Sequence, residues 1–254
     1  GTTRNPQTSD LLIKKGVKPL MWSDGSRIKS VINQSDYILH SIPPTEIGDP
    51  VYKRFSKAII SRSKNLSWFG YLSTTSVYGN HDGKWVDENI PVNPSSNRGL
   101  LRVKAENHWF GIKDLPLHIF RLAGIYGPKR SPLDKIRSGK AQLISKPGQF
   151  FSRIHVEDIA RVLKASIEMP NHGSVYNVCD DMPAAPDEVL DYAAKLINYP
   201  HLPKVAFEEA ELSPMAKSFY SDNKRVKNER IKSELKITLK YPNFETGLNA
   251  LAGK

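Results

Sequence analysis

The sequence predicts an α/β protein in which helices cover both faces of a parallel sheet. Short apolar runs alternate with segments of helical periodicity along most of the chain. Because this alternation needs crossover connections between strands, it is typical of parallel sheets. The length of 254 residues suits one such domain, or a main domain with a smaller lobe.

The elements follow one another in a regular order. The apolar runs that predict strands are Pro19–Trp22, Tyr37–Ser41, Trp68–Ser73, Leu117–Leu122 and Val175–Val178. The segments that predict helices are Val51–Lys64, Gly99 to about Gly111, Val156–Met169 and Asp187–Ile197. Pro186 suits the first turn of the last helix, and two acidic residues follow it, as is favourable at a helix N-terminus.

Two regions interrupt the alternation. The first runs from Gly127 to about Arg153 and is rich in Pro, Gly and Lys, and the second runs from Asn198 to the end, with one short strand predicted near Ile237–Leu239. We therefore predict a core made of residues 1–130 and 154–197. Residues 131–153 and 198–254 are predicted to form a lobe over the C-terminal edge of the sheet, where ligands bind.

The composition fits a globular protein, with 39% hydrophobic and 25% charged residues. No apolar run approaches the roughly 18 residues that span a bilayer, and the first residues lack an apolar signal core, so we expect neither a membrane partner nor export. Cys179 is the single cysteine, which excludes an internal disulfide and favours a cytoplasmic location. The histidines show no metal-ligand spacing, so no metal site is predicted.

The formal net charge is +11, from 37 Lys and Arg against 26 Asp and Glu. A basic face can bind nucleic acid or an anionic ligand, but lysines also simply solvate a surface. The basic residues are spread along the chain, and the motifs of nucleic-acid modules are absent from the sequence. We therefore expect a small-molecule partner rather than nucleic acid.

Three motifs occur in a fixed order. They are Ser73-Thr-Thr-Ser-Val-Tyr-Gly79, Phe120-Arg-Leu-Ala-Gly-Ile-Tyr-Gly-Pro128 and Phe151-Ser-Arg-Ile-His-Val-Glu-Asp-Ile-Ala160. They resemble the active-site strand, the next strand with its loop, and the start of the following helix in the extended short-chain dehydrogenase/reductases. Within that superfamily they resemble an atypical member of the NAD-dependent epimerase/dehydratase, or nucleoside-diphosphate-sugar epimerase-like, group. The resemblance implies a Rossmann-like doubly wound sheet with a small C-terminal substrate lobe.

Members of this group open with a strand, a Gly-x-x-Gly-x-x-Gly turn and a helix, which hold the cofactor pyrophosphate. This motif is absent from the sequence, and Gly1–Pro6 resembles the end of the second strand. We therefore expect roughly the first thirty residues of the fold, including the first strand and the Gly-rich turn, to be missing. Both a truncated chain and a family variant without the phosphate loop agree with this pattern, and either makes cofactor binding by the chain an open question.

The resemblance assigns a cofactor site. Thr3 and Arg4 end the second strand, where the fold meets the adenosine ribose. An arginine there suits a 2′-phosphate and favours NADP(H) over NAD(H), although it can also be a solvated residue on a turn. Asp24 resembles the residue that accepts from the adenine amino group, or it is only a turn residue. The loop under the cofactor is assigned to Ser41, Ile42 and Pro43.

The sequence departs from the family pattern at the two usual catalytic positions. Arg98 stands at the position of the family tyrosine and Arg102 at that of the lysine. Arginine is a very poor general acid or base. Arg102 can still bind ribose or phosphate, and Arg98 can clamp an anionic substrate or stabilise an oxyanion; alternatively, both belong to a basic helix face. Thr74 aligns with the hydroxyl that hydrogen-bonds the reacting oxygen.

If acid–base chemistry survives, the phenol must come from another position. Tyr78 is the nearest in sequence and is predicted as the catalytic candidate, so that Tyr78→Phe is expected to abolish turnover. The substrate site implied by the resemblance comprises Gly124, Tyr126, Arg153, His155 and Tyr220. Gly124 replaces an asparagine that touches substrate in active relatives. His155 is either a structural histidine bonded to the backbone or a catalytic one.

The sequence thus predicts an atypical NAD(P)-dependent oxidoreductase or epimerase for a small polar, anionic or nucleotide-sugar-like substrate. The loss of the Tyr/Lys pair leaves its status as an enzyme open. The alternative is a non-catalytic dinucleotide-sensing or interaction protein on the same fold. A homodimer is implied because many relatives pair through the helices that flank the active-site strand.

Overall fold

A computed structural model of the protein describes residues 1–139 and 141–254. The strands are β1 (Thr2–Thr3), β2 (Leu20–Met21), β3 (Tyr37–His40), β4 (Trp68–Thr74), β5 (Trp85–Val86), β6 (Leu117–Leu122), β7 (Gly124–Tyr126), β8 (Leu143–Ser145), β9 (Arg153–His155), β10 (Ser174–Val178), β11 (Lys204–Ala206) and β12 (Arg225–Val226). The helices are α1 (Pro6–Lys14), α2 (Gly25–Gln34), α3 (Pro50–Arg62), α4 (Asn97–Phe110), α5 (Pro132–Arg137), α6 (Val156–Glu168), α7 (Pro186–Leu196), α8 (Pro214–Tyr220), α9 (Glu229–Leu235) and α10 (Phe244–Ala252).

A parallel sheet with the strand order β3-β4-β6-β10 forms the centre of the molecule. In its register, Tyr71 of β4 lies opposite Ile119 of β6, and Ile119 lies opposite Val175 of β10. Every residue of β6 is buried. The strands β1 and β2 form a parallel pair of their own. The predicted α/β class with a doubly wound parallel sheet is confirmed.

The two faces of the sheet pack against different helices. Along β4 the side chains alternate, so Phe69 packs with Ile59 of α3 and Trp109 of α4. Trp68 lies on the opposite face, in a cluster with Val162 of α6. This period of two is the expected geometry of a strand buried on both sides. The carboxyl ends of the strands therefore remain as the edge at which a site can form.

The helices around this edge begin at capping residues. Asp49 accepts hydrogen bonds from the backbone N–H groups of Val51 and Tyr52 at the start of α3. Ser96 accepts from the N–H of Gly99 in α4. Such caps satisfy backbone donors that the helix itself leaves free. They fix where α3 and α4 start relative to the ends of β3 and β4.

Outside the main sheet, α5, α7 and α10 pack around a further apolar cluster that includes Leu133, Val189, Phe244 and Leu248. The pair β8–β11 lies beside it, in contact with α7. The division into a core and a lobe at the predicted boundaries stays a prediction.

The strand predicted near Ile237–Leu239 is wrong, since this segment contains no strand. Ile237 and Leu239 are buried against α6 and α9, so packing rather than sheet pairing explains their alternation. The backbone N–H groups of the next two residues, Lys240 and Tyr241, donate to the carboxylate of Asp158. In the part of the chain that the structure describes, no helix has both the length and the apolar character needed to cross a bilayer.

Candidate functional site

A cavity of about 750 Å³ lies at the carboxyl ends of β4, β6 and β7. Its walls come from the turn after β4, the first turns of α4 and the connection from β7 to α5. The helices α7, α8 and α10 close the other side. Ligands of open α/β sheets bind at this edge. The cavity is therefore the candidate active site.

Hydroxyl groups line the wall next to β4. Thr74 ends this strand and caps the following 3₁₀ turn, with its Oγ1 accepting from the N–H of Ser76 at 3.2 Å. The side chain of Ser73 donates to Oε1 of Glu106 in α4 at 2.5 Å. Ser73, Thr74, Thr75 and Ser76 all line the cavity. The structure thus places Thr74 where the sequence predicts a hydroxyl facing a ligand.

A buried ion pair supports this wall from behind. Arg121 of β6 donates from Nη2 to Oε2 of Glu106 at 2.7 Å and from Nε to Oε1 at 3.2 Å. Both residues are buried. Sequence reasoning missed the pair, although a charged residue inside the apolar run Leu117–Leu122 was a signal that a partner was needed.

Tyr78 belongs to the same network and does not line the cavity. It is fully buried, and its hydroxyl donates to Oδ1 of Asn177 at 2.8 Å and accepts from Nη1 of Arg121 at 3.0 Å. Burial raises the pKa of Tyr78. The prediction of Tyr78 as the catalytic phenol is therefore corrected, because its hydroxyl is enclosed by protein partners.

We now expect Tyr78→Phe to cost about 1–3 kcal/mol of unfolding free energy, since it leaves buried polar partners unsatisfied. Cofactor binding and any turnover are expected to stay unchanged. Urea denaturation and nicotinamide fluorescence measure the two effects, and Tyr37→Phe on the exposed part of β3 is the matched control. Lost turnover at an unchanged unfolding midpoint would restore the catalytic assignment.

The two arginines of α4 take different positions. Arg102 is buried, and its Nη1 donates to the carbonyl of Leu72 and, at 3.3 Å, to the hydroxyl of Tyr71. Arg98 is exposed on the cavity wall, with its guanidinium 5.9 Å from the ring centre of Phe219 in α8. Within the described part of the chain, neither forms an ion pair with a carboxylate. Arg98 is therefore available to an anion.

The charge around Arg98 has one sign. Burial, together with the nearby cations Arg102 and Arg130, lowers the pKa of Arg98. Arg102 and Arg130 also line the cavity. Clustered guanidinium groups repel one another unless an anion lies among them. This wall can hold a phosphate or carboxylate group of a ligand.

The residues assigned to a cofactor are distributed over the edge of the sheet. Ser41 lines the cavity, whereas Thr3, Arg4, Asp24, Ile42 and Pro43 do not. Arg4 is exposed after β1. Asp24 caps α2, accepting from the N–H of Arg27 at 3.0 Å and the hydroxyl of Ser26 at 2.8 Å. These hydrogen bonds lower the pKa of Asp24, and their geometry matches the alternative of a turn residue.

The fit to a dinucleotide is therefore partial. Ser41 and the hydroxyls after β4 share one cavity, which suits the nicotinamide and its ribose. Arg4 stands at the strand end where an adenosine ribose would lie. Among residues 1–139 and 141–254, no Gly-rich turn follows a strand to form a pyrophosphate cradle. The described residues also contain no cluster of His, Cys, Asp and Glu suited to a metal ion.

A buried network that sequence reasoning missed anchors the loop after β3. Nε2 of His40 lies 2.8 Å from Oδ2 of Asp49, which also accepts from Nε1 of Trp109 at 2.8 Å. Nδ1 of His40 accepts from the N–H of Ile42 at 3.3 Å, which assigns the proton to Nε2. The position of Ser41 on the cavity wall is thereby fixed without a ligand.

Of the predicted substrate residues, Gly124, Tyr126, Arg153 and Tyr220 line the cavity. The hydroxyl of Tyr126 points to the carbonyl of Asn243 at 3.5 Å, and burial raises its pKa. His155 is buried away from the cavity wall. Its Nδ1 accepts from the N–H of Glu157 at 3.2 Å and caps α6. Of the two alternatives for His155, the structure shows the structural one.

The far wall of the cavity is tied to the sheet by Lys224. Its Nζ donates to the carbonyl of Gly79 at 2.8 Å and to Oδ2 of Asp222 at 3.3 Å. The hydroxyl of Ser95, just before α4, donates to the same carboxylate. Burial lowers the pKa of Lys224. The contacts of Lys224 with Gly79 and of Ser95 with Asp222 join positions more than a hundred residues apart, which no local sequence pattern indicates.

Comparisons with known proteins agree with this geometry. No protein-family model matches the chain. Protein YeeZ of Escherichia coli K12 is 29% identical over 173 residues, which are 68% of this chain and 58% of YeeZ, so the match spans less than two thirds of that relative. The dTDP-glucose 4,6-dehydratase of Bacillus anthracis, solved in complex with NAD, is 18% identical; the alignment covers 98% of this chain and 83% of that one, with a TM-score of 0.76.

A much closer structural likeness exists to a functionally unknown conserved protein from Silicibacter pomeroyi. The two chains are 50% identical, and the superposition covers all of this chain and 89% of the other with a TM-score of 0.92. The chain belongs to the same family as the Silicibacter pomeroyi protein, and its fold is that of the extended short-chain dehydrogenase/reductases of the NAD-dependent epimerase/dehydratase group.

Proposed function

We propose that the protein is an atypical NAD(P)-dependent oxidoreductase or epimerase acting on a small anionic or nucleotide-sugar-like molecule. The observation that carries this proposal is the cavity at the carboxyl edge of the sheet. It combines hydroxyls after β4 with Arg98, which has no carboxylate partner among the described residues. A dehydratase of the same fold binds NAD, which supports the cofactor class by analogy.

Each group on the cavity wall has a role in this proposal. The nicotinamide supplies or accepts hydride when it is bound. Ser41 binds on the cofactor side, and the hydroxyl of Thr74 donates a hydrogen bond to the reacting oxygen of the substrate, while the proton that accompanies hydride transfer is exchanged with solvent water. Arg98, with Arg130 beside it, stabilises negative charge that develops on the reacting oxygen, in a cavity partly screened from water. Arg102 supports the wall through the Leu72 carbonyl.

The preference for NADP(H) over NAD(H) is part of the proposal and depends on Arg4. Its guanidinium is exposed at the end of β1 and has no hydrogen-bond partner among the described residues. A 2′-phosphate can accept two parallel hydrogen bonds from a guanidinium, while a ribose hydroxyl cannot.

Arg4→Glu is expected to weaken NADPH binding about 10–100-fold, the loss of a charge-assisted contact, and NADH binding by less than about threefold. Paired titrations by nicotinamide fluorescence measure both. They are made on this chain and on a form extended by a Gly-rich strand–turn–helix segment. Arg27→Glu, on exposed α2, is the matched control.

Equal losses for the two cofactors would remove the phosphate assignment of Arg4. If neither form of the wild-type protein binds either cofactor, the oxidoreductase proposal itself is wrong. Binding restricted to the extended form would locate the pyrophosphate contacts in the added segment.

A second candidate is a dinucleotide-sensing or interaction protein without turnover. The observation that favours it is the pair Arg98 and Arg102 at the catalytic positions, with Tyr78 enclosed away from the cavity. Tight NADPH binding without oxidation in the presence of carbonyl and nucleotide-sugar substrates would select this candidate.

A homodimer through the helices that flank β4 is also part of the proposal. These helices, α3 and α4, expose Ile60, Leu100 and Phe110. Exposed apolar side chains of this size favour association when they form one patch. Sedimentation velocity measures the oligomeric state. We expect a dimer for the wild type and a monomer for Leu100→Glu, which places a charge among the exposed apolar side chains.

A further inference from the structure

One side of the cavity, which we call the recess, is lined by apolar side chains. The residues that line it come from β7 and from the starts of α5, α7 and α10: Ile125, Pro132, Val189, Leu190, Phe244 and Leu248. Most of them belong to the apolar cluster that joins the three helices. Such a surface gains free energy by burying a hydrocarbon group and offers nothing to the hydroxyls of a sugar. The recess therefore fits an apolar part of a ligand.

A guanidinium with free donors faces this recess. Nη1 of Arg153 donates to the carbonyl oxygens of Phe151 at 2.8 Å and Ala184 at 3.1 Å, which orients the side chain. Nε and Nη2 have no hydrogen-bond partner among the described residues, and Arg153 lines the cavity. This open edge carries two parallel N–H groups, the arrangement that matches the two oxygens of a carboxylate.

Tyr220 brings a second donor to the same place. Its ring packs against Phe151 and Phe207, with ring centres at 5.3 and 4.9 Å, so the phenol is held in one orientation. The residue lines the cavity, and its hydroxyl bonds to no group in the described chain. Phe151 links the two residues, because its carbonyl accepts from Arg153 and its ring packs against Tyr220. The guanidinium of Arg153 and the phenol of Tyr220 can therefore both donate hydrogen bonds to one oxyanion.

The acidic groups around Arg153 do not neutralise it. They are Asp180, which follows β10, and Asp187 and Glu188 at the start of α7, and none forms an ion pair with Arg153 in the described structure. Burial raises the pKa of Asp180 to about 8, so this carboxyl group is largely protonated at neutral pH. A half-buried guanidinium without a counter-charge is costly, and an anionic ligand would lower that cost.

We propose that Arg153 and Tyr220 form a carboxylate subsite at the mouth of the recess, and that the substrate is an organic acid with a branched or aromatic hydrocarbon body. The carboxylate lies on the Nε–Nη2 edge of Arg153, and the body fills the space beside Val189 and Leu190. This inference rests on the proposed function, of which it names the substrate class, and it selects organic acids over nucleoside diphosphate sugars.

The test is a calorimetric titration of the wild-type protein, without cofactor, with acetate, 3-methylbutanoate, 4-methylpentanoate and 3-phenylpropanoate. Because each buried methylene favours binding by a similar amount, affinity is expected to rise about fourfold per added carbon up to the size of the recess. The amide of 4-methylpentanoate, which has the same body without the charge, is expected to bind at least about tenfold more weakly.

Variants locate the carboxylate. Arg153→Gln is expected to reduce 4-methylpentanoate affinity by about tenfold or more, and Tyr220→Phe by about threefold to tenfold. Arg137→Gln, exposed on α5, is the matched control and should bind as the wild type does. Arg153→Gln can fail to fold because it loses the hydrogen bonds to Phe151 and Ala184. In that case, the carboxylate subsite is still tested by Tyr220→Phe and by the comparison of the acid with its amide.

An affinity that does not change with chain length, or equal binding of acid and amide, would overturn the inference. So would tight binding of UDP-glucose that Arg153→Gln leaves unaltered. If a phosphate monoester with the same hydrocarbon body binds more tightly than the carboxylate, the subsite is a phosphate site and the carboxylate assignment is wrong. These titrations contain no cofactor, so carboxylate binding without NADPH binding would refute the proposed oxidoreductase and leave the subsite in place.

Discussion

Replacing Glu106 with glutamine is expected to lower the free energy of unfolding by about 3–5 kcal/mol. The change removes the counter-charge of Arg121, which is 6% exposed and cannot reach water in the folded protein. Burial by itself would lower the pKa of Arg121, but the hydrogen bonds and the charge of Glu106 raise it. The substitution also weakens the bond from Ser73, so the hydroxyl wall of the cavity loses its support.

Urea denaturation gives the magnitude, and Glu46→Gln in the exposed loop after β3 serves as the control. Combining Glu106→Leu with Arg121→Met removes both charges and is expected to recover much of the loss, because no unpaired charge remains. A loss below about 1 kcal/mol for Glu106→Gln would mean that the pair behaves as a solvated surface pair.

Acidification is expected to destabilise the protein through His118, by about 3 kcal/mol between the unfolded-state and folded-state pKa values of this residue. The ring is fully buried, and burial lowers its pKa from 6.5 to about 4. Nδ1 donates to the carbonyl of Pro116 at 3.0 Å and Nε2 accepts from the N–H of Asn171 at 3.0 Å, so both nitrogens are satisfied only in the neutral ring.

The sign follows from the depressed pKa. Above pH 6.5 the ring is neutral in both states and its stabilising effect is fully present. As the pH falls through 6.5 toward about 4 the unfolded state takes up the proton first, and stability is lost. Stability curves at several pH values should show this slope in the wild type and in His201→Gln, an exposed control, and a clearly smaller one in His118→Gln, in which buried His155 still contributes. An equal slope in all three would assign the acid sensitivity to other groups.

The helices and strands that were predicted well are those that the periodicity of apolar residues along the chain determines. The apolar run Leu117–Leu122 predicted β6 to the residue, and Val156–Met169 predicted α6 within one residue, because burial imposes a period on each. Ile237–Leu239 also places apolar residues at alternate positions but is not a strand, because its buried side chains pack against α6 and α9 and the N–H groups of the next two residues donate to Asp158.

The residues that line the cavity were predicted where the ends of strands place them, and contacts between distant segments were missed. Thr74, Arg98 and Gly124 line the cavity because each follows or faces the carboxyl end of a strand. Tyr78 occupies a similar position in sequence, but its rotamer is decided by Arg121 and Asn177, which lie 43 and 99 residues away. A position close to a site in sequence does not show whether the side chain lines the cavity or is buried in the protein behind it.

The tie between Lys224 and Gly79 also determines how molecules enter and leave the cavity. This hydrogen bond is buried, and the hydrogen bond from Ser95 to Asp222 lies beside it. Together they hold this part of the cavity wall in place. On the opposite rim, the guanidinium of Arg98 in α4 contacts the exposed ring of Phe219 in α8. An exposed contact of this kind is worth about 0.5–1 kcal/mol, close to thermal energy. The contact of Arg98 with Phe219 therefore breaks at a much lower cost than the tie at Lys224, so the wall yields to an entering ligand more easily at Arg98 than at Lys224.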